Sequence, residues 1–231
     1  MRLAKFGAFS ILLLDRTNVL TRLLIAALAL SVHAEVVDRI AASVDNKVIT
    51  QSEVELQIRV AAFQDGVPPD LSTKHKHEVL DTMIDQKLIQ RDLQNSRYPV
   101  PDPAELNPAV EQFKREHYKS DAEYQQALAS YKITDQDFRD LLLWEKTLSA
   151  FIDVRFTSSS QVSDPEIEEY FEKTVKPLAL QAHPGEPVML EAYRDQIEKR
   201  LEGDRANRQM ETWLRGARRR SQVIVHEEAL K

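Results

Sequence analysis

The sequence predicts a mainly α-helical fold with one short strand near residue 40 and another near residue 224. These two strands are expected to pair with each other as a small β-ribbon. Strand-like segments occur at 36–44 and 221–226, and apolar residues recur at helical spacing through most of the chain between them. Because a two-stranded ribbon is only marginally stable alone, we expect it to rest on the helices. The chain should therefore fold as one unit whose two ends meet.

The first 34 residues are typical of a signal peptide. An apolar run at 23–32 follows Arg22, and Val32-His33-Ala34 supplies small or apolar residues at the −3 and −1 positions of a cleavage site. The run is about half of the roughly 20 residues that a membrane-spanning helix needs. The sequence therefore predicts export with cleavage after Ala34 and no span in the mature chain. The alternative is an uncleaved anchor.

Charge and cysteine content exclude several functions. The chain has 31 basic and 37 acidic residues, and the leader holds four of the basic residues and one acidic residue, so the mature chain is more acidic than the formal net charge of −6. This balance argues against nucleic-acid binding, which depends on neutralising phosphates. The absence of cysteine excludes disulfides, thiolate chemistry and cysteine-based metal sites.

Capping signals and prolines define the predicted helices. Thr50-Gln51-Ser52-Glu53 matches a capping box, which predicts a helix that ends at Gly66. The prolines between Tyr98 and Pro103 predict a stiff extended linker, because proline fixes φ and disfavours helix before it. The other segments follow in order: helices at about 75–94, 104–118, 121–131, 134–156 and from 163, a short loop at 175–187, and a last helix at about 188–214.

Apolar residues in the middle of the chain are the candidates for a binding surface. Leu141-Leu142-Leu143-Trp144 is apolar around too much of a helix to face one side only. Either that helix is sandwiched between other elements, or part of it is exposed as a binding surface. The candidate binding residues are Tyr98, Val100, Phe113, Tyr124, Leu143 and Trp144.

No catalytic, cofactor or metal site is predicted. His75 and His77 lie two residues apart, whereas a metal-binding pair on one helix face needs a spacing of four. Acidic pairs such as Glu168-Glu169 fit a solvated face better than acid–base catalysis. The remaining charged cluster comprises Arg215 and Arg218 to Arg220, which either interacts with a helix dipole or contacts anionic lipid or an acidic partner.

Residues 37–54 contain a strand, a turn and an "ItxsEv" motif, and residues 79–89 contain a helical "lLdxlIdxkLi" run. In these segments the chain resembles the SurA and PpiC-type periplasmic chaperones, in which the first motif opens the chain and the second forms the second helix. Residues 162–171 are similar to the "VsdxEIexyY" helix that leads into the isomerase insert. The closing helix and strand fit the family's C-terminal segment, so the resemblance covers nearly all of 36–226.

The resemblance implies a SurA N-terminal-like chaperone domain over 35–231. In fuller members, parvulin-type prolyl isomerase domains follow the 162–171 helix, but here only 175–187 occupy that place. The implied protein is not an enzyme and needs no cofactor. It is a periplasmic holdase for non-native polypeptides, including outer-membrane β-barrel precursors. The alternatives are an envelope adaptor or dimerisation module that binds one folded partner, with homodimerisation open, and a minimal prolyl isomerase.

Overall fold

The computed structural model describes residues 38–95, 98, 101–157 and 161–231. The predicted leader 1–34 and the candidate residue Val100 lie outside these residues. The described chain is mainly α-helical, as predicted. None of its helices combines the length and the apolar composition that a membrane crossing requires.

A three-stranded antiparallel sheet joins the two ends of the described chain. Its strands are β1 (Ile40–Val44), β2 (Lys47–Thr50) and β3 (Val223–Val225), in the order β2-β1-β3. Residues Ala42 and Val225 are paired across β1 and β3. The predicted pairing of the two ends is thus confirmed.

The ribbon has one more strand than predicted. Residues 47–50 were expected only to follow a turn, but they fold back on β1 as a hairpin through Asp45, whose φ is 53°. On β2, Val48 is exposed and Ile49 is fully buried, the alternation typical of a strand with one covered face. The segment was missed because only two of its residues are apolar.

The helices begin where the capping signals place them. Thr50 Oγ1 accepts from Glu53 N at 3.3 Å, and Glu53 Oε2 accepts from Thr50 N at 2.7 Å. The helices are α1 (Gln51–Asp65), α2 (Thr73–Asn95), α3 (Asn107–His117), α4 (Asp121–Tyr131), α5 (Asp135–Arg155), α6 (Asp164–Tyr170), α7 (Lys176–Ala182) and α8 (Arg194–Arg219), with 3₁₀ turns at Pro103–Leu106, Leu190–Ala192 and Glu227–Leu230.

Two predicted boundaries differ from the structure. The expected loop at 175–187 is helical as far as Ala182. The last helix starts at Arg194 and ends at Arg219, so it begins and ends later than the predicted 188–214. The first difference arises at Pro177, which weakens the local helical pattern but stands at the second position of the helix Lys176–Ala182, where a missing N–H is tolerated.

Four groups of buried side chains hold these elements together. The first lies between the sheet, α1 and α2 and includes Leu230, which is fully buried near the chain end. The second is an aromatic cluster around Phe63. The third places Phe151 of α5 against α8, and the fourth joins Phe171 to Ile197 near the start of α8.

Candidate binding groove

Two of the predicted binding residues belong to the aromatic cluster around Phe63. Tyr124 is fully buried, and its Oη donates to Asp135 Oδ1 at 2.7 Å. Burial first, and then this hydrogen bond, raise the pKa of Tyr124. Phe113 is half-buried, with its ring centroid 5.6 Å from that of Phe63. In this structure Tyr124 therefore has no surface to offer a ligand, because the ring fills the core instead.

The other described candidates lie along α5 and its neighbours. Leu143 and Trp144 are half-buried, and Trp144 packs on the group that contains Phe151. Tyr98 packs edge-on against Phe151 at 5.3 Å between ring centroids, and its Oη accepts from Arg155 Nη1 at 2.7 Å. The helix α5 is sandwiched, since it contributes to two buried groups, but neither end of it gathers the predicted residues into one surface.

An open groove with a largely apolar lining lies elsewhere in the described chain. It runs between the helical arm 164–182 and the first turns of α8, and its volume is about 700 Å³. This is within the range of ligand pockets, roughly 300–1,000 Å³. The residues that line it are Tyr170, Thr174, Val175, Leu178, Ala179, Ala182, His183, Tyr193, Gln196, Ile197, Lys199 and Arg200.

Buried contacts position the helical arm against α8. Ile167 and Phe171 of the arm pack on Ile197, and all three are almost fully buried. At the start of the arm, Arg194 Nη1 donates to Asp164 Oδ1 at 2.6 Å. The arm and α8 therefore form a hairpin with its own small core, and the groove opens where this core ends.

A wide helical turn shapes the arm. Residues Phe171–Val175 form a π-helical turn, in which Lys176 N donates to Phe171 O, five residues earlier. In a regular α-helix the ring of Pro177 would press on the carbonyl of Lys173. The wider turn relieves this contact and lets α7 continue beyond the proline. Turns of this kind occur often at functional sites.

The groove is suited to bury apolar side chains. Leu178 projects from α7 at its edge and is 62% exposed. Lys199 and Arg200 place positive charge at the opposite rim, and Arg200 Nε donates to Asp204 Oδ2 at 3.0 Å. An exposed apolar surface with a polar rim is typical of an interaction site.

Sequence reasoning missed this groove because it treated 175–187 as a loop. A signal was present, since Leu178 and Ala182 are four residues apart, as are Tyr170 and Thr174. Such spacing indicates one face of a helix, but Pro177 interrupts it. Leu178 thus stands in the short helix α7, of which no residue is buried.

The histidine pair forms no metal site in the structure. His77 Nδ1 donates to Thr73 O at 2.7 Å, and His77 Nε2 bonds to Glu227 in the C-terminal 3₁₀ turn. In the part of the chain that the structure describes, no cluster of three or more metal-binding side chains occurs. The role of His77 is to attach the end of the chain to α2.

Three curated proteins that are similar to this chain are chaperones. The chain is 28% identical over 147 residues to Chaperone SurA of Pseudomonas fluorescens, which covers 62% of this chain and 34% of that protein. It is 29% identical over 153 residues to Chaperone SurA of Pseudomonas putida, covering 63% and 35%. The match to Chaperone SurA of Pseudomonas syringae pv. tomato is 30% over 156 residues, covering 64% and 36%. The chain is thus similar to part of three SurA chaperones.

The similarity to SurA is partial in extent. The chain spans about a third of the length of the curated relatives it matches, between 34% and 36%. No protein-family model matches it. The resemblance carried by the motifs is therefore supported by sequence similarity over 147–156 residues.

Proposed function

We propose that this SurA-like protein is a periplasmic holdase chaperone that binds non-native polypeptides in the groove between the helical arm and α8. The observation that carries the proposal is the groove itself, an apolar trough with Leu178 mostly exposed at its edge. The similarity to proteins named Chaperone SurA supports the same function.

Exposure of apolar residues around the groove favours client binding. Met189, which precedes α8 in the hairpin, is 61% exposed. A client segment that covered Leu178 would remove apolar area from water, worth about 25 cal/mol per Å². The groove is open and small, so single contacts are weak and a client can dissociate, as a holdase requires.

The proposed activity includes no prolyl isomerisation. Between the wide turn and α8, the chain forms only the two-turn helix α7, a turn near Gly185 and the 3₁₀ turn Leu190–Ala192. That segment supplies no sheet-based catalytic domain. The purified protein should leave the rate of a proline-limited refolding reaction unchanged, and acceleration of that reaction would contradict this part of the proposal.

The test of the proposed function is suppression of aggregation. An unfolded outer-membrane β-barrel protein is diluted from urea into buffer with increasing amounts of the purified protein, and light scattering is followed. Concentration-dependent suppression is expected, beyond that of an acidic control protein of similar size. No suppression at several-fold excess, together with a saturating 1:1 complex with one folded protein, would instead support the adaptor.

A matched pair of variants tests whether the groove is the binding site. Leu178→Gln changes an exposed residue that lines the groove, and Leu180→Gln changes an exposed residue of the same helix outside it. We expect Leu178→Gln to raise the protein concentration needed for half-suppression by about fivefold, since burying part of a leucine is worth about 1 kcal/mol. Equal effects of the two substitutions would remove the groove from the proposal.

A further inference from the structure

A second cleft, on the other half of α8, is lined by arginines. Its volume is about 880 Å³, and it lies between α8 and the end of α5. Its position separates it from the apolar groove, which the first turns of α8 line. The residues around it are Arg155, Phe156, Arg205, Arg208, Gln209, Thr212, Trp213, Gly216, Arg219 and Arg220.

The arginines of α8 follow one helix face. Arg205, Arg208, Thr212, Gly216 and Arg219 succeed each other at spacings of three or four, which places them on one side of the helix. From Arg205 to Arg219 the stripe is about 21 Å long at 1.5 Å per residue. This length corresponds to about six residues of extended polypeptide.

Two of the five arginines are neutralised by carboxylates of this chain. Arg155 Nη1 donates to Asp92 Oδ2 at 2.9 Å, and Arg205 Nη2 pairs with Glu166. These contacts hold the two side chains at opposite walls of the cleft. Arg155 also lies over the ring of Trp213, with its Cζ 5.1 Å from the ring centroid.

The other three arginines have no acidic partner within the described residues. Arg208, Arg219 and Arg220 are exposed and form no ion pair there. The guanidinium of Arg220 lies close to the backbone of Gly216. A Cβ atom added to this glycine would be only 3.1 Å from Arg220 Nη1. The cleft therefore carries three uncompensated positive charges in a chain whose net charge is −6.

The floor of the cleft is partly apolar. Phe156 is buried and Trp213 is half-buried, and their ring centroids are 6.3 Å apart. Guanidinium groups form planar pairs of hydrogen bonds with carboxylates, and every basic residue that lines the cleft is an arginine. The cleft thus offers charge for carboxylates and rings for an apolar side chain between them.

We propose that this cleft binds an extended acidic polypeptide segment in which Asp or Glu residues flank an apolar side chain. The charge, the length of the stripe and the aromatic floor all match such a segment. A single phosphate would use only one part of the stripe, and a lipid surface would not reach the floor beside Trp213. The proposal does not depend on the apolar groove being the site of chaperone activity.

The test uses a fluorescein-labelled octapeptide in which Glu alternates with Leu or Trp, and its binding to the purified protein is measured by fluorescence anisotropy. The same peptide with Gln in place of each Glu should bind at least about tenfold more weakly. Affinity for the acidic peptide should fall as salt is added, because exposed charges are screened. Equal affinity for the two peptides would overturn the proposal.

Matched triple variants locate the binding. Arg208→Gln/Arg219→Gln/Arg220→Gln should weaken acidic-peptide binding on the order of tenfold, as expected when three exposed charge contacts are lost. Arg39→Gln/Arg115→Gln/Lys119→Gln removes the same charge from exposed positions outside the cleft and should leave affinity within about twofold. Equal loss in both triple variants would overturn the assignment to the cleft.

Two further probes distinguish other anions, and one variant separates the two sites. Displacement of the peptide by millimolar inorganic phosphate, or tighter cleft-dependent binding to phosphatidylglycerol vesicles, would overturn the polypeptide as occupant. Leu178→Gln should leave acidic-peptide binding unchanged. A protein that binds the acidic peptide but fails to suppress aggregation would retain this inference while losing the proposed holdase activity.

Discussion

Arg218 Nε donates to Asp85 Oδ1 at 2.6 Å, and this contact joins α8 to α2 just before the chain returns to the sheet. Arg218 Nη1 also donates to Asp81 Oδ1 at 2.6 Å, one turn earlier on α2. The hydrogen bond with Asp85 and then that with Asp81 raise the pKa of Arg218 above its usual value. One member of the basic cluster is therefore structural, whereas Arg219 and Arg220 face the cleft.

Removing this arginine should destabilise the fold. Arg218→Gln leaves two carboxylates of α2 without their cation, and we expect a loss of about 1–3 kcal/mol in the free energy of unfolding. Urea denaturation at neutral pH measures it. Arg215→Gln is the matched control, since the Arg215 side chain is 62% exposed and lies 3.9 Å from Glu211. A comparable loss in the control would contradict the structural role of Arg218.

The pair between Glu55 and Lys76 should make stability depend on pH in acid. Lys76 Nζ donates to Glu55 Oε1 at 2.8 Å, and this hydrogen bond lowers the pKa of Glu55 below its usual 4.5. A carboxyl with a lowered pKa stabilises the fold above its unfolded value, and the contribution is lost as pH falls through the folded value. The free energy of unfolding should therefore decrease as the pH is lowered below about 4.5.

The variant Lys76→Met should flatten this acid dependence. Lys76 is 7% exposed, so Met retains most of its packing while removing the charge. The measurement is urea unfolding at several values between about pH 3 and pH 6. Lys74→Met, at a side chain that is 88% exposed, should leave the slope unchanged. Parallel slopes for the wild type and Lys76→Met would refute the assignment.

The bond by which His77 of α2 holds Glu227 of the C-terminal 3₁₀ turn should weaken as pH rises. Thr73 O can only accept, and an ionised Glu227 can only accept, so both bonds of His77 require the doubly protonated ring. The bond to Thr73, followed by that to Glu227, raises the pKa of His77 above 6.5. The stabilisation is fully present below pH 6.5 and is lost as the pH rises through the pKa of His77 in the folded protein.

A titration by NMR tests this directly. The His77 ring should titrate above 6.5 in the wild type, and Glu227→Gln should move its pKa downward. Glu228→Gln, which instead removes a contact with Lys231, is the control and should leave the His77 titration in place. Because the His77 side chain is 36% exposed, the change in unfolding free energy should be only a few tenths of a kcal/mol.

The side chain of Leu230 should contribute as much to the free energy of unfolding as a leucine of the central core. Leu230 is fully buried in the group that contains the sheet, next to Ala229. Leu230→Ala should cost about 2–4 kcal/mol, as for other buried leucines. Thermal and urea unfolding measure the loss. Leu71→Ala, at a leucine that is 39% exposed, should cost well under half as much, and similar losses would contradict the burial of the chain end.

Prediction succeeded where neighbouring residues carry the signal. The capping box at Thr50 starts its helix in the structure as expected. The pairing of the two ends was predicted because the sequence showed only two strand-like segments, at 36–44 and 221–226. The strand β2 and the helix α7 were missed, since each is short: β2 forms by pairing with β1, and α7 continues the helical arm past Pro177.

The exposure of an apolar residue is not a local property of the sequence. Tyr124 and Leu178 both stand in apolar surroundings in the sequence, yet Tyr124 is fully buried and Leu178 is 62% exposed. The difference arises from Phe63, whose ring meets Tyr124 at 6.0 Å between centroids, and from the absence of such a cover over Leu178 within the described residues.

The mainly helical class, the start of the capped helix at Thr50 and the return of the chain to its first strand could be predicted from the sequence, because hydrogen bonds and periodicity among near neighbours specify them. The choice of apolar side chains that form the core, and of arginines that remain without a carboxylate, is made only when the helices and strands pack together. Those outcomes depend on contacts such as Arg218 with Asp85, which lie 133 positions apart in the chain. Local pattern does not encode such a pairing, since burial is set by the elements that pack together.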